Sequence, residues 1–169
     1  GSSVISSLWP QAVFWRAMKA YSDVHNNPAS IKAALRRNYN SMTNTDLTVG
    51  RRHILNLEGM LWLYGEIDSK TLLTKAETAY KTGGFEFDAT DAGSDEYIYL
   101  HGVTYSEMLK VPLLLYAYTG NEEYLHIAMN AERKLERDHM LPDGVPSSAE
   151  YTLGQDIDIA HETCDITDY

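Results

Sequence analysis

The residues best equipped for chemistry gather at the end of the chain. Asp143-Gly144-Val145-Pro146-Ser147-Ser148-Ala149-Glu150-Tyr151 is followed by His161-Glu162-Thr163-Cys164-Asp165, a stretch dense in ionisable groups. Hydrolysis of a glycosidic bond needs a carboxylic acid to protonate the leaving oxygen, and a second group to attack the anomeric carbon or activate water. Glu150, in a turn-rich and mostly uncharged stretch, suits the first role. Glu162 and Cys164 can reach one metal ion together where the backbone is extended or irregular, because a helix would point them about 200° apart. A zinc site takes three or four ligands, and in an extended segment His161 faces away from Glu162, so the pair needs further partners.

Each of these residues also has an ordinary reading. A glutamate in a loop is commonly solvated, and a lone cysteine at a helix start is commonly a small buried side chain. His53 and His101 each open an apolar helix, where a capping or core histidine is the usual outcome. His25, His126 and His139 have weaker context and read as surface or structural. Phe85, Phe87, Tyr97 and Tyr99 are able to stack on a sugar ring, or equally to pack an insertion onto its own fold. Asp88, Asp91, Asp95 and Glu96 lack the glycine and terminal glutamate of a calcium loop and read as solvated.

The elements that must position these groups are helical. Apolar residues recur at helical spacing in Val13, Phe14, Ala17, Met18 and Tyr21, and again in Ile54, Leu57, Met60, Leu61 and Tyr64. Trp9, Trp15 and Trp62 fall within apolar faces and read as core. An internal repeat supports a chain of αα-hairpins: Ala20-Tyr21, Leu63-Tyr64 and Ala117-Tyr118 each close an apolar helix, and a polar turn leads into a second. In each second helix an aliphatic residue precedes an alanine by three, as Ile31 with Ala34, Leu73 with Ala76 and Leu125 with Ala128, which predicts a close crossing at the alanine. Such arrays stack as an open solenoid or close into a toroid. The Gly- and Asp-rich stretch 83–99 lengthens the third step, as insertions that build a cleft at a toroid rim do.

The sequence Glu162-Thr163-Cys164, with Glu150 in a Ser-Ala-Glu-Tyr-Thr-Leu-Gly setting, resembles glycoside hydrolase family 127 and its relatives, the β-L-arabinofuranosidase family. His101-Gly102-Val103 and the later Tyr118-Thr119-Gly120-Asn121 are similar to that family's histidine-bearing helix and its turn, and His53 to a second pocket histidine. The resemblance implies an all-α fold in which residues 1–169 form one domain, part of an (α/α)6 barrel. It casts Glu150 as general acid/base, Glu162 and Cys164 as zinc ligands, and His53 and His101 as groups that bind sugar hydroxyls. A zinc-bound thiolate from later in the family's chain is its nucleophile, because the metal holds sulfur deprotonated at neutral pH.

Two features of this sequence depart from the family. The interval between Glu150 and Glu162 is short, and no second cysteine follows Cys164. Under the resemblance, the 169 residues are therefore the first part of a barrel, inactive alone, and self-association or pairing with the remaining half is expected. The expected activity is a retaining, exo-acting release of terminal L-arabinofuranose or a related sugar from plant-type glycans. A sugar epimerase or polysaccharide lyase on the same toroid, using histidines and tyrosines, is the alternative, followed by a non-catalytic helical-repeat binding module.

Charge fits a neutral or cationic partner. Twenty-four acidic against fourteen basic residues give a net charge of −10, which repels nucleic acid and anionic headgroups. The longest apolar run, 111–117, contains Pro112 and falls short of the roughly 20 residues that span a bilayer. One cysteine forms no internal disulfide, which leaves the redox compartment open.

Overall fold

The computed structural model of the chain describes residues 8–26, 28–49, 52–83, 89–156 and 162–169, and among them every regular element is a helix. The all-α class expected from the periodicity is therefore observed. No helix among the described residues is long and apolar enough to cross a membrane. The chain divides into two compact units, Gly1–Phe85 and Glu86–Tyr169.

The first unit contains α1 (Trp9–Val24), α2 (Ala29–Ser41), α3 (Asn44–Thr48), a 3-10 turn at His53–Leu55, α4 (Asn56–Ile67) and α5 (Lys70–Thr82). Pro10 lies in the first turn of α1, where its missing N–H costs nothing. Thr43 and Asp46 form a reciprocal capping box on α3, which lets so short a helix persist. The core is built on α4: Leu57, Met60, Leu61 and Leu63 are fully buried, and Leu72, Ala76 and Tyr80 of α5 pack with them. Trp15 stacks on Trp62 with ring centroids 6.1 Å apart. Gly59 makes this approach feasible, since any Cβ there would collide with the Tyr39 hydroxyl and the Trp15 ring.

Two expectations about α1 and α2 fail. Val13, Phe14 and Tyr21 are exposed, and α1 instead buries Ala12, Trp15 and Ser22. The helix packs through the tryptophan stack, which sets its rotation away from its most apolar stripe. Ala34 is exposed, whereas Ala76 and Ala128 are buried as predicted. Trp9 is also on the surface, with the Arg52 guanidinium 4.6 Å from its ring centre.

The second unit contains α6 (Ala89–Gly93), α7 (Gly102–Thr119), α8 (Glu122–His139) and α9 (Thr163–Asp168). Gly120, at φ +70°, ends α7, and the Asn121 side chain accepts from the Glu123 N–H to start α8. Glu122 and Glu123 in the first turn of α8, with Arg137 and His139 in its last, complement the helix dipole. Tyr105, Met108 and Leu115 of α7 pack with Tyr124, Ala131 and Leu135 of α8 to form this unit's core. From α8, the buried Lys134 ammonium donates to the Asp91 carbonyl (2.8 Å), and Asn130 Nδ2 donates to the Ala92 and Ser94 carbonyls (2.7 Å each). Asp95 is solvated as expected, with 74% of its side chain exposed, and it also receives Arg133 and Arg137. The segment after α6 is thereby held in place, and it leads directly to the candidate site.

Candidate functional site

Two extended strips lie side by side ahead of α7. The Gly102 N–H donates to the Glu150 carbonyl and the Thr152 N–H to the Leu100 carbonyl, both at 2.9 Å, with His101 and Tyr151 paired antiparallel. The buried Thr152 hydroxyl donates to the Ile98 carbonyl at 3.0 Å. His139 ties both strips to the end of α8: its Nδ1 accepts from the Gly154 N–H (3.2 Å), so Nε2 carries the hydrogen that reaches the Ile98 carbonyl (2.9 Å). Burial holds the His139 pKa below its usual range, in keeping with this neutral arrangement.

His101 is the N-cap of α7. Its Nδ1 accepts from the Thr104 N–H at 3.2 Å, which leaves the hydrogen on Nε2, and Nε2 lies 3.3 Å from Glu150 Oε2. The ring is almost wholly buried, whereas 68% of the Glu150 side chain is exposed. Glu150 itself sits at φ +94°, a backbone conformation that a residue with a Cβ rarely adopts.

The third component arrives from the chain end. Glu162 caps α9 with extended backbone, and Cys164 lies one residue inside the helix. This change of backbone between them brings the two side chains to one point, and the Cys164 thiol donates to Glu162 Oε2 at 3.1 Å. The hydrogen bond to Glu162 raises the thiol pKa, since it holds the proton on sulfur, and losing that proton would also set two negative charges side by side. Cys164 is exposed rather than the buried side chain of its ordinary reading.

His101, Glu150 and Glu162 each offer a ligand atom, and these atoms lie within 4.8 Å of one another. Four of the five residues singled out in the sequence belong to the second unit; the fold brings the ligand atoms of three of them together, and the Cys164 thiol reaches the cluster through Glu162. His53 belongs to the first unit. Its Nε2 accepts from the Leu8 N–H (2.9 Å) and its Nδ1 donates to the Asp46 carbonyl (2.7 Å), so both ring nitrogens are engaged by backbone. His161, Phe85, Phe87 and Asp88 lie outside the described residues.

Supporting residues were not evident from sequence. Asp165, fully buried, accepts from the Ser106 hydroxyl of α7 at 3.4 Å and anchors α9 against that helix. A Cβ on Gly102 would collide with Ser148 and come within 2.9 Å of Asp165 Oδ2. The local signal was the glycine directly after His101 at a helix start, a position open to close approach. Ser106, Ser148 and Asp165 carry no such signal, because their roles depend on contacts distant in sequence. Comparison of the chain with protein-family models, curated proteins and solved structures finds no match.

Proposed function

We propose that the second unit carries the acid and metal-ligand side of a glycoside hydrolase site acting on terminal L-arabinofuranosides or related neutral sugars. One observation supports this reading above the others: His101, Glu150 and Glu162 converge, with the Cys164 thiol resting on Glu162. An epimerase or lyase would have no use for the thiol–carboxylate pair.

Glu150 is the proton donor. Its Oε2 lies 3.3 Å from His101 Nε2, and its carboxyl would deliver a proton to the departing oxygen. The left-handed backbone and the Gly102-to-Glu150 hydrogen bond fix the carboxyl's origin, so the acid is pre-positioned.

Glu162 and Cys164 fit zinc by the chemistry of their donors, an anionic oxygen beside a sulfur whose shared proton lies where a cation would replace it. Zinc bound there would hold thiolate sulfur at neutral pH. His101 suits the donor role better than the ligand role. Offering Nε2 to a metal would move its hydrogen to Nδ1 and break the cap on α7. The nucleophile and remaining ligands are not among the residues assigned here. His53, with both nitrogens engaged, would have to release a backbone partner to bind a sugar hydroxyl.

Metal analysis of the protein, wild type beside Cys164→Ala, tests the assignment. Zinc approaching one per chain, lost in the variant, is the expected result. A wild-type protein that leaves a zinc-containing buffer without the metal would overturn it.

A further inference from the structure

Beside the candidate acid, the strips present a row of aromatic rings to solvent. Ile98 and Thr152 point inward and are buried, whereas Tyr97 is 55% and Tyr99 59% exposed. Tyr99 stacks on Tyr151, with centroids 5.2 Å apart and planes 13° from parallel. Tyr97 packs on the buried His139 at 4.8 Å. Tyr151 directly follows Glu150 in sequence and meets the edge of the His101 ring at 6.1 Å.

Single exposed aromatics are common on protein surfaces and need no explanation. Here three share a scaffold fixed by backbone hydrogen bonds, so their rings are ordered before any ligand arrives. Tyrosine offers a rigid apolar face with a polar rim, which matches a sugar ring whose C–H groups lie on one face and hydroxyls around its edge. The surroundings select against negative charge. Asp95, Glu96, Glu150 and Glu162 are in the same unit, where acidic residues number eighteen against four basic, and anionic ligands are repelled.

We infer that Tyr97, Tyr99 and Tyr151 form a stacking subsite for a neutral sugar ring on the leaving-group side of Glu150. Tyr99 stacks on Tyr151, the residue directly after Glu150, which sets a ring lying on Tyr99 beside the strip that carries the proposed acid. The inference rests on the hydrolase reading for its orientation. It implies that the enzyme distinguishes glycosides by what is attached beyond the scissile bond, favouring a further sugar over a methyl group.

Titration of the 169-residue chain with an L-arabinofuranosyl disaccharide and with methyl L-arabinofuranoside, followed by saturation-transfer NMR, tests it. The wild type binds the disaccharide more tightly. Tyr99→Ala weakens that binding about tenfold, as loss of one aromatic stacking partner does, and leaves the methyl glycoside unaffected. Tyr99→Phe, which keeps the ring, retains the affinity, and Tyr21→Ala in the first unit changes nothing. Circular dichroism confirms the fold of each variant.

Equal binding of the two sugars by the wild type, or unchanged disaccharide binding by Tyr99→Ala, overturns the subsite. Zinc content read on the same samples separates the two ideas. Zinc bound without a preference for the disaccharide removes the platform and leaves the hydrolase reading standing. A Tyr99-dependent preference in a protein that binds no zinc retains the platform and removes that reading.

Discussion

His101 makes two demands on one imidazole. Nδ1 must stay unprotonated to cap α7, and Nε2–H must face Glu150. Glu150→Gln keeps the size of the side chain but removes the proton that the proposed acid role transfers. Under the proposed acid role, it should lower turnover of glycosides with poor leaving groups by the assembled protein about 10²- to 10⁴-fold, the usual worth of a general acid. Aryl glycosides with good leaving groups should be affected far less, and comparing the two classes checks the assignment. His139 is a different case, because it is structural. Its folded-state pKa lies below the ordinary 6.5, so below that pH the unfolded chain takes up a proton that the folded chain resists. Stability is therefore fully present above about pH 6.5 and declines as pH falls further, and His139→Gln should flatten that slope in thermal melts between about pH 5 and 7. Asp46, Asp95 and Asp138, with pKa values held below 3.8, contribute stability that is fully present above about pH 3.8 and is lost only in more acidic solution, so the windows separate. At this scale the sequence was informative where spacing carries chemistry, as with Glu162 and Cys164. It was silent on Asp165 and Ser106, which meet only after α9 has docked on α7.

Helices reveal their existence in sequence more readily than their rotation. The face of α4 from Leu57 to Tyr64 was readable because it is buried on nearly all sides. That of α1 was misread because a single ring stack, Trp15 on Trp62, outweighs a broader apolar stripe in setting which side turns inward. Glycines at close approaches give a matched test. Gly59→Ala and Gly102→Ala each gain up to about 1 kcal/mol of helix propensity. Each also introduces a collision, with Tyr39 and Trp15 in one case and with Ser148 in the other, and overpacking of this kind costs about 1–3 kcal/mol. Both variants should melt at lower temperature than wild type. Under the proposed zinc assignment, only Gly102→Ala should also lose the metal, since its collision lies beside Asp165 of α9, the helix that carries Cys164; metal content measured on both decides the point.

Across the whole chain charge is distributed unevenly: the first unit holds ten basic and six acidic residues, the second four basic and eighteen acidic. The second unit therefore folds against its own repulsion. Raising sodium chloride from about 10 to 150 mM shortens the screening length from about 30 to 8 Å and should raise the melting temperature. Surface pairs such as Arg133 with Asp95 weaken under the same change, but each is worth only about 0–1 kcal/mol, so repulsion decides the sign. A melting temperature that falls with salt would show that these pairs dominate. Glu150 carries a further consequence, in evolutionary terms. Its positive φ suits glycine or asparagine better than glutamate, so at this position the best residue for folding is not the best residue for proton transfer. A lineage released from selection for chemistry would drift toward glycine there and gain stability by doing so. Under the proposed acid role, retention of a carboxylate at that position in descendants of this protein would mark those that depend on its proton.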